Sequence, residues 1–330
     1  MASPTVSIVI ITCNRAFLLR HCLERVLAQP YPYKEIIVVD SSRGEESAQI
    51  VAGYPELLYV HLWGQRNNMP QARNKGIELS SGDIIAFIDD DSMVQPGWLE
   101  TLLSVYEDKT VGAAGGRIIT MPEPYSEQKA GPPQLIISPT GNVLARDTGL
   151  VSEAVLEIDH LVGCNMSFRR TVLEQVGGFD PTYTLTNLRE ETDLCVRVKR
   201  AGWRIIFHPA MAVLHFSARS LQPYFLEKPL VQFSNGRNGT YFAIKHFGLR
   251  PQTLLGLCKD AGRSCARAAY FAGLFGFGAL AHLTGRLVGL GVGIRWLLSK
   301  KQRALSAPVL PLRRQAASDS SSLSVSLKNK

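Results

Sequence analysis

The chain has 330 residues, of which 45% are hydrophobic and 19% charged; this excludes an intrinsically disordered chain and allows one large or two ordinary domains with a substantial core. The formal net charge is +8, but much of the excess lies in the last third, where Arg263, Arg267, Arg286, Arg295, Lys300, Lys301, Arg303, Arg313 and Arg314 flank or interrupt an apolar region, a placement that suits a membrane surface and argues against nucleic acid. Cys13, Cys22, Cys164, Cys195, Cys258 and Cys265 form neither a Cys-x-x-Cys pair nor a Cys/His metal spacing, so they read as reduced thiols of a cytosolic compartment.

Met1 to Thr5 carries no basic residue, and Val6 to Ile11 is far too short for a signal-peptide core; the amino-terminal part is expected in the cytoplasm. Val6-Ser7-Ile8-Val9-Ile10-Ile11 is a nearly continuous β-branched run, the pattern of a strand buried on both faces of a parallel sheet. Asn14 stands where a cap is expected for a helix with Leu18, Leu19, Cys22, Leu23 and Val26 at helical spacing. Glu35 to Asp40 reads as a second buried strand ending in an acid, Leu57 to Leu62 as a third, and Pro70 opens a short helix through Arg73 to Ile77. The fourth strand, Ile84-Ile85-Ala86-Phe87-Ile88, runs straight into Asp89-Asp90-Asp91. This alternation predicts a doubly wound α/β sheet, whose ligands bind at the carboxyl ends of the strands. Three adjacent carboxylates repel unless a cation joins them, so they read either as a divalent-metal and phosphate site or as a solvated acidic turn.

Pro96-Gly97 begins a further helix through Leu99, Leu102, Leu103 and Tyr106, and Val111 to Ala114 reads as a strand. Thr120 to Thr140 has no clean period and is expected to be a mobile substrate loop. Regular pattern returns with Leu161 to Phe168, a helix from Thr171 to Val176 closed by Gly177-Gly178, and an amphipathic helix over Arg189 to Ala201. Trp203 to Phe207 and Ala212 to Phe216 read as two short strands, and Leu226 to Phe247 as a helix. From Ala268 an apolar, glycine-containing run of fourteen residues precedes His282, shorter than the roughly 20 residues that a spanning helix needs. With Leu283 to Leu298 it reads as lying on or dipping into a bilayer, or as a glycine-rich helical hairpin packed on the remainder of the chain. The serine-rich tail is expected to be disordered.

Together, Val6-Ser7-Ile8-Val9-Ile10-Ile11-Thr12-Cys13-Asn14-Arg15, Ile37-Val38-Val39-Asp40, Ala72-Arg73-Asn74-Lys75-Gly76, Phe87-Ile88-Asp89-Asp90-Asp91, Gly177-Gly178-Phe179-Asp180 and Arg189-Glu190-Glu191-Thr192-Asp193-Leu194-Cys195-Val196-Arg197 resemble the signatures of the family 2 glycosyltransferases, in order and spacing. That resemblance implies a GT-A fold, an inverting reaction and a nucleoside diphosphate sugar lying across the carboxyl ends of the strands. Thr12, Asn14, Arg15, Asp40, Arg73 and Asp89 match donor-nucleotide positions, with Asp40 at the acid that faces the base and Arg73 at a basic residue near the phosphates. Asp89 and Asp91 match the two acids of the DxD motif. Asp91, joined by His215, would hold Mg²⁺ or Mn²⁺ against the leaving diphosphate.

The resemblance places the general base at Glu191, where relatives commonly carry Asp, with Glu190 and Asp193 as acceptor or supporting acids. Two further departures stand out: Ser41-Ser42 follow Asp40 where an acidic pair is usual, and Met69 replaces a common glycine. The expected organisation is a GT-A catalytic domain over 1–222, with a donor half to about 116 and an acceptor half from 117. A helical, membrane-associated extension over 223–303 and the tail over 304–330 complete it. The implied activity is that of a hexosyl- or deoxyhexosyltransferase of polysaccharide biosynthesis. It would use a UDP- or dTDP-sugar and a saccharide or lipid-linked acceptor, at the cytoplasmic face of the inner membrane. A catalytically silent nucleotide- or saccharide-binding module is the competing reading. A sugar nucleotidyltransferase is the other, but Thr12-Cys13-Asn14-Arg15 lacks the glycine-rich loop it requires.

Overall fold

The computed structural model describes residues 4–30, 34–63, 68–121, 135–137, 143–145, 154–216, 229–270 and 276–303. Its centre is a sheet in which β1 (Val6–Thr12) lies between β2 (Lys34–Asp40) and β4 (Ile84–Asp89), all parallel, with β3 (Leu58–His61) outside β2. Every residue of β1 is buried, because the β-branched run packs on both faces. Ile8 and Ile10 meet Leu19, Leu23 and Val26 of α1 (Ala16–Leu27), while Val9 and Ile11 share a second core with Ala72 and Ile77 of α3 (Met69–Leu79). Helix α2 (Glu46–Val51) links β2 to β3. The expected doubly wound α/β architecture is therefore present.

Beyond β4 the order continues through β10 (Asn165–Arg169), β6 (Val111–Thr120), β11 (Arg204–His215) and β5 (Ser92–Val94). β10 is antiparallel to both neighbours, and β5 is antiparallel to β11. The sequence pattern leaves strand direction open, so this arrangement is a finding of the tertiary structure. The two short strands expected over 203–216 are one strand, β11, with a register shift between His208 and Val213. Pro209 falls inside that shift: it has no N–H for the ladder, and the sheet absorbs it as a bulge instead of breaking. Helix α4 (Trp98–Val105) covers one face of the sheet, and α5 (Arg170–Val176) and α6 (Glu190–Arg200) cover the other. Within the irregular stretch after β6, β7 (Leu135–Ile137) pairs with β8 (Val143–Ala145); the remainder of Thr120 to Thr140 beyond Met121 lies outside the described residues, as does the tail. The short strand β9 (Leu156–Glu157) pairs with β11.

Three helices end the described chain: α7 (Pro229–Phe247), α8 (Pro251–Tyr270) and α9 (Gly276–Arg303). α7 and α9 touch backbone to backbone. A Cβ at Gly285 would lie 2.0 Å from the Phe233 carbonyl oxygen, and one at Gly289 would lie 2.2 Å from that of Arg237. Gly285 and Gly289 thus form a seam against α7, as small residues at four-residue spacing permit. The opposite face of α9 exposes Leu280, Leu287, Val288, Ile294 and Leu298. Among the described residues, no helix is long and apolar enough to cross a membrane.

Candidate active site

The carboxyl ends of β1, β2 and β4 and the end of β11 form one edge. Alternation along β4 sends its acids to different partners. Asp89 continues the face of Ile85 and Phe87 and accepts a hydrogen bond from Arg73 NH2 at 3.0 Å. Asp90, fully buried, turns to the β1 loop, where it accepts from Thr12 Oγ1 at 2.6 Å and Arg15 Nε at 3.1 Å. Burial pushes the Asp90 carboxyl up to about 7 although Arg15 beside it acts the other way. Asp91 meets Arg15 NH1 at 2.5 Å and His215 Nε2 at 3.4 Å. Burial would raise the Asp91 carboxyl, but the approach of His215 and the charge of Arg15 outweigh it and hold Asp91 below the usual carboxylate range. Burial likewise disfavours a charged His215, yet its approach to Asp91 and the nearby acids raise it above its ordinary value.

The pairing of β5 with the end of β11 brings His215 to Asp91: His215 lies opposite Ser92, and Phe216 N–H donates to the Asp91 carbonyl at 2.8 Å. Asn14 does not cap α1 as expected. It adopts φ 54°, its N–H is held by Ser42 Oγ at 2.7 Å, its Oδ1 accepts from Arg43 N–H at 3.0 Å, and Arg15 takes the cap position without a side-chain bond. A short polar side chain tolerates this left-handed backbone, so Asn14 ties the first loop to the second. Asp40 is fully buried, accepting from Ser42 N–H at 2.7 Å and Tyr59 OH at 2.8 Å. Beside it, His61 Nε2 donates to the Ser42 carbonyl at 2.8 Å, and its ring stacks on the exposed ring of Trp63, with centroids 3.7 Å apart. Trp63 is a feature the motif reading passes over; its only sequence signal is an aromatic residue just past a strand end.

Arg73 connects this edge to the first turn of α6. It is 1% exposed, bonded to Asp89 and the Gly163 carbonyl, paired with Glu190, and its guanidinium lies 5.6 Å from the Phe179 ring centre. Glu190 is buried, with Oε2 unpartnered among the described residues, whereas Glu191 is partly exposed. Glu190, Glu191 and Asp193 all stand in the first turn of α6, where the helix dipole favours carboxylates. Leu185, Asn187 and Arg189 in the preceding loop have φ of 69°, 56° and 79°; Asn tolerates this conformation, whereas it costs about 1–2 kcal/mol each at Leu185 and Arg189.

Helix α7 holds that loop. Ser234 Oγ accepts from Thr186 N–H at 3.1 Å, Asn238 Nδ2 donates to the Thr184 carbonyl at 3.1 Å, and Arg237 NH1 donates to the Thr182 carbonyl at 3.0 Å. Deeper in, Asp193 is fully buried among Arg197, Tyr183, Lys245 and His246, and Lys245 also pairs with Asp180 at 2.6 Å. Burial would raise the Asp193 carboxyl, but Arg197, His246 and Lys245 overcome it and lower it far below the carboxylate range. Asp193 therefore joins α6 to α7.

Asp91 and His215 form the donor set available to a metal. Their oxygen and imidazole ligands suit Mg²⁺ or Mn²⁺, and the guanidinium already drawn to Asp91 shows that the position favours a cation. Among the described residues, no three His, Cys, Asp or Glu side chains converge, so a metal here would complete its shell with ligand or solvent oxygens.

Comparisons with known proteins bear on the family and the fold. The relatives include the glucosyl-dolichyl phosphate glucuronosyltransferase of Haloferax volcanii, 28% identical over 201 residues covering 58% of this chain and 62% of that protein. The pre-mycofactocin glycosyltransferase of Mycobacterium tuberculosis is 26% identical over 64% of this chain and 43% of its own length. The match thus spans less than two thirds of these curated relatives. Among solved structures, the mannosyltransferase PcManGT from Pyrobaculum calidifontis, in complex with GDP-Man and Mn²⁺, aligns with a TM-score of 0.52 at 18% identity, over 94% of this chain and 83% of that one. GalNAc-T7 with UDP, GalNAc and Mn²⁺ aligns at 0.57 and 16% identity, over 78% of this chain and 54% of that one. These neighbours share the GT-A fold. The family model "Glycosyl transferase family 2" matches residues 7–177, more than half of the sequence, and the chain belongs to that family.

Proposed function

We propose that this chain transfers a sugar, with inversion, from a nucleoside diphosphate sugar to a hydroxyl of a saccharide or lipid-linked acceptor. The observation that carries this reading is Arg73, which joins the strand-end acid Asp89 to Glu190 in the first turn of α6, on an edge that also holds Asp91 and His215; Glu191 is the next residue of that turn. In this reading Asp91 and His215 would hold Mg²⁺ or Mn²⁺, which would supply Lewis-acid stabilisation of the leaving diphosphate. Thr12, Asn14 and Arg15 border the donor phosphates. Asp40 shapes the base-side loop through Ser42 and Tyr59, and Trp63 offers the base a flat surface.

Glu191 takes the proton from the acceptor hydroxyl. That oxygen bonds to the anomeric carbon from the far side, and the bonding pair of the breaking carbon–oxygen bond leaves with the diphosphate. Glu190, fixed by Arg73, positions the turn that carries Glu191. A UDP- or dTDP-sugar is the proposed donor. The lipid-linked alternative for the acceptor draws on two apolar surfaces. One is a groove of about 580 Å³ lined by Phe17, Leu18, His21, Met93, Leu214 and Phe216, flanking His215. The other is the exposed face of α9, which together with Arg295 suits a membrane surface.

Turnover of UDP-, dTDP- and GDP-sugars with Mn²⁺ and a polyprenyl-phosphate-sugar or oligosaccharide acceptor tests this. Glu191→Gln should lower kcat by about 10²–10⁴-fold, the range of a general base. Asp91→Asn should abolish the response to Mn²⁺. Unchanged turnover in both variants would refute the assignment.

A further inference from the structure

A protein cation already sits on the acid edge. Arg15 donates from NH1 to Asp91 at 2.5 Å and from Nε to Asp90 at 3.1 Å, and its remaining terminal nitrogen pairs with Asp90 as well. The other oxygen of Asp91 faces His215 at 3.4 Å. One oxygen of the proposed metal ligand is therefore taken by Arg15, while the other, buried, lies near His215 without a hydrogen-bond partner among the described residues.

The two guanidiniums near the site differ in freedom. Arg73 is enclosed, with its partners on three separate segments. Arg15 stands on the β1–α1 loop with 34% of its side chain exposed, while the acids it touches are 0% and 5% exposed. The acids stay, and Arg15 is the part that can move. A divalent ion bonded to Asp91 would be forced against this guanidinium, and at such a separation like charges repel strongly. A diphosphate brought to the same edge offers the fork-shaped guanidinium a better partner, since its planar donors match phosphate oxygens in pairs.

We propose that Arg15 is a resident counter-cation of Asp90 and Asp91 whose transfer from the acids to the donor diphosphate couples metal binding to donor binding. Each ligand by itself must displace Arg15, and the second to bind finds it already displaced. The two therefore bind with positive cooperativity, and the coupling is reciprocal. The inference rests on the metal and donor roles proposed above.

Mn²⁺ binding to the full chain, followed by electron paramagnetic resonance of free Mn²⁺ with and without UDP or GDP, tests it without any turnover. The native chain should bind Mn²⁺ weakly alone and more tightly with the nucleotide. Arg15→Gln keeps hydrogen bonds to buried Asp90 but removes the charge. It should bind Mn²⁺ about tenfold more tightly without nucleotide, equivalent to about 1.4 kcal/mol, and gain less from UDP or GDP. Arg15→Lys, a point charge that reaches one carboxylate, should fall between the two. If nucleotide-free Arg15→Gln and Arg15→Lys bind Mn²⁺ no more tightly than the native chain, the counter-cation role is overturned while the metal site stands. If no form binds Mn²⁺ even with nucleotide, the metal reading falls and takes this inference with it.

Discussion

Replacing Asp193 with Asn removes one charge from a closed cluster and leaves its shape almost intact. In the native chain this carboxylate meets Arg197 at 2.8 Å, Tyr183 OH at 3.2 Å, Lys245 at 2.6 Å and His246 at 2.8 Å. Without it, Lys245, with 7% of its side chain exposed, keeps Asp180 as counter-anion, and Arg197 keeps its bond to the Val176 carbonyl. Breaking a buried ion pair by removing one partner costs about 3–5 kcal/mol, and because Asn retains one acceptor oxygen the loss should lie near 3 kcal/mol. An exposed pair of the same geometry would contribute under about 1 kcal/mol, so the size of the loss distinguishes the two situations. Urea unfolding at pH 7.5 of Asp193→Asn, Lys245→Met and the double variant measures it. Lys245→Met also removes the cation left over by Asp193→Asn, so the double variant should lose at least about 1 kcal/mol less than the sum of the singles. A loss below about 1 kcal/mol for Asp193→Asn, or strict additivity, would refute the claim that this cluster joins α7 to α6.

The α7–α9 seam makes a prediction of opposite sign at neighbouring glycines. Alanine gains about 1 kcal/mol of helix propensity over glycine, so Gly291→Ala, with nothing within 4 Å of its Cβ, should raise Tm. Gly289→Ala places a methyl 2.2 Å from the Arg237 carbonyl oxygen; overpacking costs about 1–3 kcal/mol, and Tm should fall. Equal shifts by calorimetry would remove the seam from the account. Arg73→Gln leaves Asp89 and Glu190 without their shared cation, and Arg73→Lys supplies a point charge in place of a fork. Both should lower kcat/KM by about 100-fold or more, as small misplacements of reacting groups do, and full activity in the Lys variant would count against a bridging role. Stability should also depend on pH through the same cluster. Burial holds His246 below its ordinary 6.5, so below that pH the unfolded chain takes up a proton that the folded chain does not, and stability falls with pH. Asp193 is lowered, so its contribution is present above the ordinary carboxylate value near 4 and is lost as pH falls below it. A Tm series from pH 8 to pH 2 should show both declines, the first below about pH 6.5 and the second below about pH 4, with His246→Gln flattening the first; a flat profile in the native chain would contradict the cluster's charge states.

The elements were legible wherever local pattern and burial agreed. β1 and β4 are β-branched runs enclosed on both faces, and α1 carries its apolar residues at the spacing that faces the sheet. The acids were placed at the ends of β4 and the start of α6 because a strand end and a first helical turn are read from the residues around them. Asn14 stands at a left-handed loop position where the pattern suggests a cap, because both places favour the same side-chain chemistry. β11 has the local pattern of two strands because Pro209 interrupts it, and the sheet carries the interruption through a bulge. The apolar glycine-rich segment after Ala268 suggests a bilayer or a hairpin; its described part shows Gly285 and Gly289 packed against α7, a contact that no local pattern announces.

By itself, then, the sequence determined the strand–helix alternation, the family and the residues at the sheet edge, all of which depend on short-range periodicity and on side-chain types at fixed offsets. Only the tertiary structure decided which acids meet. His215 reaches Asp91 through the β5–β11 pairing, Arg73 binds both Asp89 and Glu190, and Arg15 takes the cation position beside Asp91. It also decided that α7 holds the loop ahead of Glu190. The physical reason is that each of these contacts joins segments far apart along the chain, and their meeting is set by sheet order, strand direction and burial, which leave no periodic trace in the residues themselves.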